Sequence, residues 1–317
     1  MLGAMLGSTD GAICTPESQF VKDLVKMIKT GRHLTRYDLT MYLMRHWRFR
    51  LWGIRSLPPE DWIRDPKRVD TQDVRELITW VVLAYASTNS VVRNSPGQVM
   101  VWVDHTPSNL RFAKSLMTVF PESKFIHVVR DGRAVAASIL PLDWGPNTVL
   151  SAARWWIMEV AQGLAAEAYF GPDRVMRVRY EDLVNAPEWT LERLCQFAGV
   201  NFRHNAVTGT EFVVPEYTKR QHHLVGKPPE RQRVDAWRSQ LTPREIEVFE
   251  SIAGEMLEFL GYGLMYKGAA KPPHIYESVL FWIKEECRTG INKFAHVMRR
   301  HIALRKLSVG KLAVNTT

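Results

Sequence analysis

The sequence has little cysteine. Its three, Cys14, Cys195 and Cys287, are far apart and odd in number. No pair has metal-ligand spacing, so a disulfide framework and a cysteine metal site are excluded and a reducing compartment is the expectation. Long hydrophobic runs are missing as well. The longest, Leu77 to Ala84, is far shorter than the roughly 20 residues of a membrane span. No cationic segment followed by a long apolar one opens the chain, so no secretory leader is read and a cytoplasmic location is expected. No Gly-x-x-x-x-Gly-Lys-Ser/Thr phosphate loop occurs, and no internal repeat of solenoid length. Acidic residues are the minority, 33 Asp and Glu against 42 Lys and Arg, for a formal charge of +9. From Lys267 onward ten Lys and Arg face three Glu, so seven of those nine charges belong to the tail. The body is nearly neutral, which argues against a nucleic-acid-binding domain.

What is present suits one large α/β domain with an appendage: 317 residues, 46% hydrophobic and 24% charged. The eleven Trp fall mostly in amphipathic stretches and read as packing residues. Met1 to Leu6 reads as helix, Gly7 to Gly11 as a turn, and Thr15 to Ser18 as a loop opening a helix near Gln19. Residues 20–95 look mostly helical. Val99 to Val103 reads as a buried strand and Asn109 to Phe120 as a helix. Phe125 to Val129 is a strand, Ala152 to Tyr169 a helix, Arg174 to Arg179 a strand, and Leu191 to Ala198 a helix closed by Gly199. Residues 203–235 read as loop. Thr242-Pro243-Arg244-Glu245 has capping-box form and starts a helix ending near Leu260. Strands alternating with helices imply a parallel sheet.

The richest stretch is Lys124 to Leu140. An apolar strand ends at Arg130, Asp131-Gly132 turns, and a helix opens at Arg133 and carries Ser138, eight residues beyond Arg130. Strand, turn and helix N-terminus make an anion site, because helix N–H groups and dipole face the ligand. Arg133 reads equally as a surface charge at the helix start. Two further strands end in polar clusters, Asp104-His105-Thr106 and Tyr180-Glu181-Asp182. Parallel sheets bind ligands at such ends.

Together these residues resemble the sulfotransferases that use 3′-phosphoadenosine-5′-phosphosulfate (PAPS), in the bacterial branch similar to tyrosylprotein and carbohydrate sulfotransferases. FPESKFIHVVRDGRAVAAS (Phe120 to Ser138) resembles the family's 3′-phosphate motif, which implies Arg130 and Ser138 as phosphate ligands. WVDHTP (Trp102 to Pro107) resembles the strand-loop that usually reads Lys-Thr-Pro or Lys-Thr-His. VRYEDLVNAPEWTLERLCQFAGV (Val178 to Val200) resembles the following strand-helix unit, whose Tyr, here Tyr180, contacts the adenine. The stretch from Arg231 and Arg233 to Trp237 resembles the late loop that closes over the nucleotide. The likeness spans residues 1–266 and implies a P-loop-NTPase-like three-layer α/β sandwich around a central parallel sheet. Residues 267–317 form a basic helical C-terminal extension. MLGAMLGSTDGAICTPESQF (Met1 to Phe20) resembles the family's helix just after the Arg-Ser-Gly-Thr-Thr loop that binds the 5′-phosphosulfate. The resemblance therefore implies that the first strand and that loop precede Met1, through a late start, a truncation or a naturally short form.

Sulfuryl transfer to a hydroxyl or amine needs a base for the acceptor and positive charge for the leaving oxygen. No metal is called for. Glu17 matches the position of the base in the tyrosylprotein branch, and reads otherwise as a helix-start carboxylate. His105 stands where relatives carry Lys; protonated it would serve the leaving oxygen, neutral it would serve as base. The acceptor expected is a carbohydrate, glycolipid or other small molecule. A P-loop small-molecule kinase and a non-catalytic nucleotide-binding relative stay open. The tail 268–317 reads as a basic amphipathic helix, either solvated or in peripheral contact with a membrane.

Overall fold

The computed structural model describes residues 1–54, 56–88, 101–210, 212, 214 and 225–314. The expected strand at 99–103 and loop at 203–235 fall partly outside these residues. In chain order the principal elements begin with α1 (Leu2–Gly7), β1 (Ala12–Thr15), α2 (Phe20–Ile28), α3 (Arg36–Arg45), α4 (Trp47–Leu51) and α5 (Thr71–Thr88). They continue with β2 (Val101–Asp104), β3 (Phe125–Val129), α6 (Gly132–Ile139), α7 (Val149–Phe170) and β4 (Val175–Arg179). Last come α8 (Tyr180–Asn185), α9 (Pro187–Ala198), α10 (Pro243–Phe259) and α11 (Ile275–Val314).

The strands form two parallel pairs. β1 runs with β2, Ala12 opposite Val101 and Thr15 opposite Asp104. β3 runs with β4, Phe125 opposite Val175 and Val129 opposite Arg179. Side chains alternate across a strand, and the alternation sorts the core into layers. Ile13, Trp102, Phe125 and Val175 face a cluster built with α2, α3 and α5. Ala12, Val101, Val103, Ile126 and Val178 face the opposite cluster, with α1 and α9. Helices thus cover both faces of both pairs, as the α/β reading requires. A third cluster joins α6, α7 and α10 beside the end of β3.

β1 is an element the sequence reading missed. Ala-Ile-Cys-Thr is only four residues between a turn and a loop, too short for a period to show. The helix expected over Asn109 to Phe120 is instead a 3-10 turn, Leu110–Phe112, followed by a single α-turn, Ala113–Leu116. Tertiary contacts divide it. Arg111 donates to Gln162 on α7 (Nε to Oε1, 2.5 Å), whereas Phe112 lies under Lys26 of α2, 4.7 Å from the ring centroid.

Local signals hold at the longer helices. Thr148 caps α7 by accepting from the Ser151 amide. At α10 the capping box closes as read, with Thr242 accepting from the Glu245 amide and Glu245 from the Thr242 amide. α9 ends at Gly199 in the left-handed region, φ +79°, where a side chain is strained.

Gly132 has a different role from the one the turn suggests. A Cβ there would lie 2.6 Å from the rings of Trp156 and Phe249. The glycine lets α6 press onto α7 and α10. Gly132→Ala is expected to cost about 1–3 kcal/mol through overpacking, seen as a calorimetric midpoint lowered by several degrees. An unchanged midpoint would show that the contact yields freely.

Candidate active site

Arg130 leaves the end of β3 and turns its guanidinium over the Tyr180 ring, 4.3 Å from the centroid. Its backbone carbonyl accepts from Trp156 Nε1 (3.2 Å), which ties the residue to α7. Its Nη2 donates to the Arg233 carbonyl (3.0 Å), so the late loop closes on the strand end as a main-chain acceptor. Arg231 donates to the Asn185 carbonyl at the end of α8 (3.1 Å), and Arg233 pairs with Glu230 (3.1 Å). Arg130 Nε is buried and has no acceptor. A buried N–H in that state costs about 1–3 kcal/mol and marks where an anion would sit. Ser138 is exposed in the last turn of α6, roughly 10 Å along the helix from its start at 1.5 Å per residue. The structure therefore gathers Arg130, Tyr180, Arg231 and Arg233 and sets Ser138 further along the neighbouring helix.

The first turn of α6 is not the open anion cradle that strand, turn and helix suggested. Asp131 occupies the N-cap, its Oδ1 accepting from the Arg133 amide (2.9 Å). The Asp131 amide in turn donates to Glu181 Oε1 (3.0 Å), and Glu181 Oε2 accepts from the Tyr262 hydroxyl (3.0 Å). Arg133 is not a surface charge. It is 2% exposed, bound to Asp131 and Glu250 and to the Gly263 carbonyl, with Trp237 beneath it at 4.1 Å. The helix start is neutralised internally, and of the two arginines Arg130 alone has an unpaired buried N–H.

A second cluster lies at the ends of β1 and β2. Asp104 accepts from Ser18 Oγ (2.6 Å), from the Thr106 amide (3.0 Å) and hydroxyl (2.7 Å), and from Asn109 Nδ2 (2.9 Å). Thr106 Oγ1 accepts from the Ser18 amide (2.9 Å). These bonds join the loop carrying Glu17 to the loop carrying His105. Glu17 is held 3.2 Å from Arg48 Nη2 and accepts from Gln19 Nε2 (3.2 Å). Gln19 adopts φ +24°, an uncommon backbone for a residue with a side chain. His105 is half-buried, its Nε2 buried and without a partner, with Phe212 edge-on at 5.7 Å. Burial lowers its pKa below the ordinary histidine value, against the opposing pull of Asp104 and of Glu17, whose charge acts on the ring. A neutral imidazole at pH 7 follows.

From the sequence, Asp104 and Glu181 stand only as members of polar clusters at strand ends, without the bracing roles seen here. WVDHTP held a clue to the first, because Asp two residues before Thr makes an Asx turn. Thiolate chemistry at this edge is disfavoured: burial holds Cys14 protonated and pushes Cys195 up to about 11. Among the described residues no group of three or more His, Cys, Asp or Glu is placed to hold a metal ion, and no helix is long and apolar enough to cross a membrane.

Comparison with known proteins names the scaffold. A model of the sulfotransferase family matches residues 1–204. The chain is 28% identical over 169 residues to a protein-tyrosine sulfotransferase of Drosophila melanogaster, covering 49% of this chain and 33% of that protein. It is 27% identical over 199 residues to the omega-hydroxy-beta-dihydromenaquinone-9 sulfotransferase Stf3 of Mycobacterium tuberculosis, covering 55% and 50%. The chain thus spans between a third and a half of these relatives. Among solved structures, the sulfotransferase domain from the curacin biosynthetic pathway aligns with a TM-score of 0.48 at 15% identity, over 83% of this chain and 93% of that one. The domain from the Synechococcus PCC 7002 olefin synthase aligns at 0.47 and 21%, over 80% and 94%. With the family match covering well over half of its residues, this chain belongs to the sulfotransferase family.

Proposed function

We propose that this chain transfers a sulfuryl group from PAPS to the hydroxyl of an acceptor, with a carbohydrate, a glycolipid or another small molecule as the acceptor class. The observation that carries the donor is Arg130, a half-buried guanidinium stacked on an aromatic ring, with a buried Nε–H that lacks an acceptor. That chemistry fits the donor: arginine binds phosphate through charge-assisted bonds, and the Tyr180 ring offers a base a stacking face. Arg231, Arg233 and Ser138 complete the set that would hold it. When bound, PAPS supplies the activated sulfuryl group. The names of two relatives carry a hydroxyl acceptor, a tyrosine and an omega-hydroxy compound, which supports a hydroxyl here.

The chain's own residues move the proton. His105, neutral because burial lowers its pKa, accepts the acceptor's hydroxyl proton at Nε2. The Glu17 charge acts on the ring and favours the imidazolium that forms. A base near its operating pH is the efficient choice. Activity then falls only as pH drops below the ordinary histidine range, where His105 becomes charged. His105→Gln should cost roughly 100-fold or more in kcat and remove that acid limb, with Glu17→Gln costing less. A larger loss in Glu17→Gln, with the limb intact in His105→Gln, would reverse the two roles. Calorimetry with adenosine 3′,5′-bisphosphate and with ATP tests the donor. The bisphosphate should bind at least about 10-fold tighter, a difference of about 1.4 kcal/mol. Preference for ATP would indicate a kinase.

A further inference from the structure

α11 runs for 40 residues, about 60 Å at 1.5 Å per residue. Its bonds to the body recur every few positions. Glu277 pairs with Arg244 (2.7 Å), and Glu285 accepts from Asn147 and Thr148. Asn292 donates to Asn147 (2.7 Å), and Arg299 pairs with Asp143 (2.7 Å). Phe281 packs into the cluster of α6, α7 and α10. Spacings of four and seven put these residues on one helix face.

The opposite face is apolar and uncovered. Tyr276, Leu280, Ile283, Ile291, Phe294 and Met298 share it and are between 44% and 70% exposed. Lys284 and Lys293 are exposed on its two borders. Of the three Glu in the tail, two are turned to the body and only Glu286 is exposed. An apolar stripe of this length does not face water without a partner, and a stripe bordered by Lys is the pattern of a helix lying in a membrane interface.

We propose that α11 seats this protein on an anionic phospholipid surface, apolar face down, with the globular body held on the other side of the helix. Charge chooses this occupant over a second copy of the chain. α11 carries eight Lys and Arg against three Glu, a net +5, so self-pairing would set two such basic helices against each other. An anionic bilayer satisfies the stripe and the charge together.

The test is co-sedimentation of the full chain with phosphatidylcholine vesicles containing about 30% phosphatidylserine, against phosphatidylcholine alone, with sedimentation velocity alongside. At least about 10-fold more protein should bind the anionic vesicles, less as salt rises above about 0.15 M. Leu280→Glu with Phe294→Glu should abolish binding and leave the fold intact, since both side chains are exposed. Equal binding to both vesicles, no binding, or a dimer dissolved by that double variant would overturn the proposal. Affinity for adenosine 3′,5′-bisphosphate should be the same in the double variant, so the vesicle result stands apart from the donor assignment.

Discussion

Arg130→Ala should weaken binding of adenosine 3′,5′-bisphosphate by about 100-fold or more, measured by calorimetry. The guanidinium stands at the end of β3, half-buried, with its buried Nε–H unmet. Charge-assisted hydrogen bonds are worth about 1.5–3 kcal/mol each, and two of them correspond to at least two decades of affinity. Arg130→Lys should recover little, because a point charge can neither fork nor stack flat on Tyr180. The folded protein should tolerate either change. Arg130 gives the body one side-chain hydrogen bond, to the Arg233 carbonyl, and removing it also removes the unmet Nε–H. A thermal midpoint near wild type with lost binding is therefore the expected pair of results. Unchanged affinity in Arg130→Ala would sink the assignment of the phosphate site.

Arg133→Ala is expected to do the reverse and strike at the fold. The side chain is 2% exposed and Glu250 opposite it is fully buried. Glu250 also accepts from the amides of Met265 and Tyr266, both at 2.9 Å, so it fastens the chain after α10 to the same point. Removing the guanidinium strands two carboxylates, Asp131 and Glu250, in the interior. Breaking such a pair from one side costs about 3–5 kcal/mol, or a midpoint lower by roughly 10 °C at this size. Urea unfolding measures it directly. Combining Arg133→Ala with Glu250→Gln should cost less than the sum of the two, because the residues share one network. A loss below about 1 kcal/mol in the single variant would show that the buried cluster contributes no net stability.

The two arginines show what the sequence made legible. Both lie in one short motif and both read as cations near a helix start. Arg130 was legible because its position follows from a strand period and a turn, which are local. Arg133 was not. Of its partners, Asp131 is two residues away but Glu250 is 117 away, and nothing within a local window shows a charge being buried. The same limit explains Asp104, whose partner Ser18 comes from 86 residues earlier. It explains β1 as well, a four-residue strand defined by β2 rather than by its own pattern. α11 was legible as an amphipathic helix from its composition. Which of its faces meets the body depends on Asn147, Asp143 and Arg244, and those contacts belong to the folded chain.

On the proposed transfer, the Asp104 carboxylate also bears on the entropy of the reaction. Glu17 and His105 stand on loops 88 residues apart in the chain, and one side chain with four donors on it holds both loops. Their relative placement is settled during folding and not when an acceptor arrives. Well-placed reacting groups behave as if at effective concentrations of about 10⁵ M or higher. Much of that advantage at this edge of the protein rests on a residue that need never touch the molecule being modified.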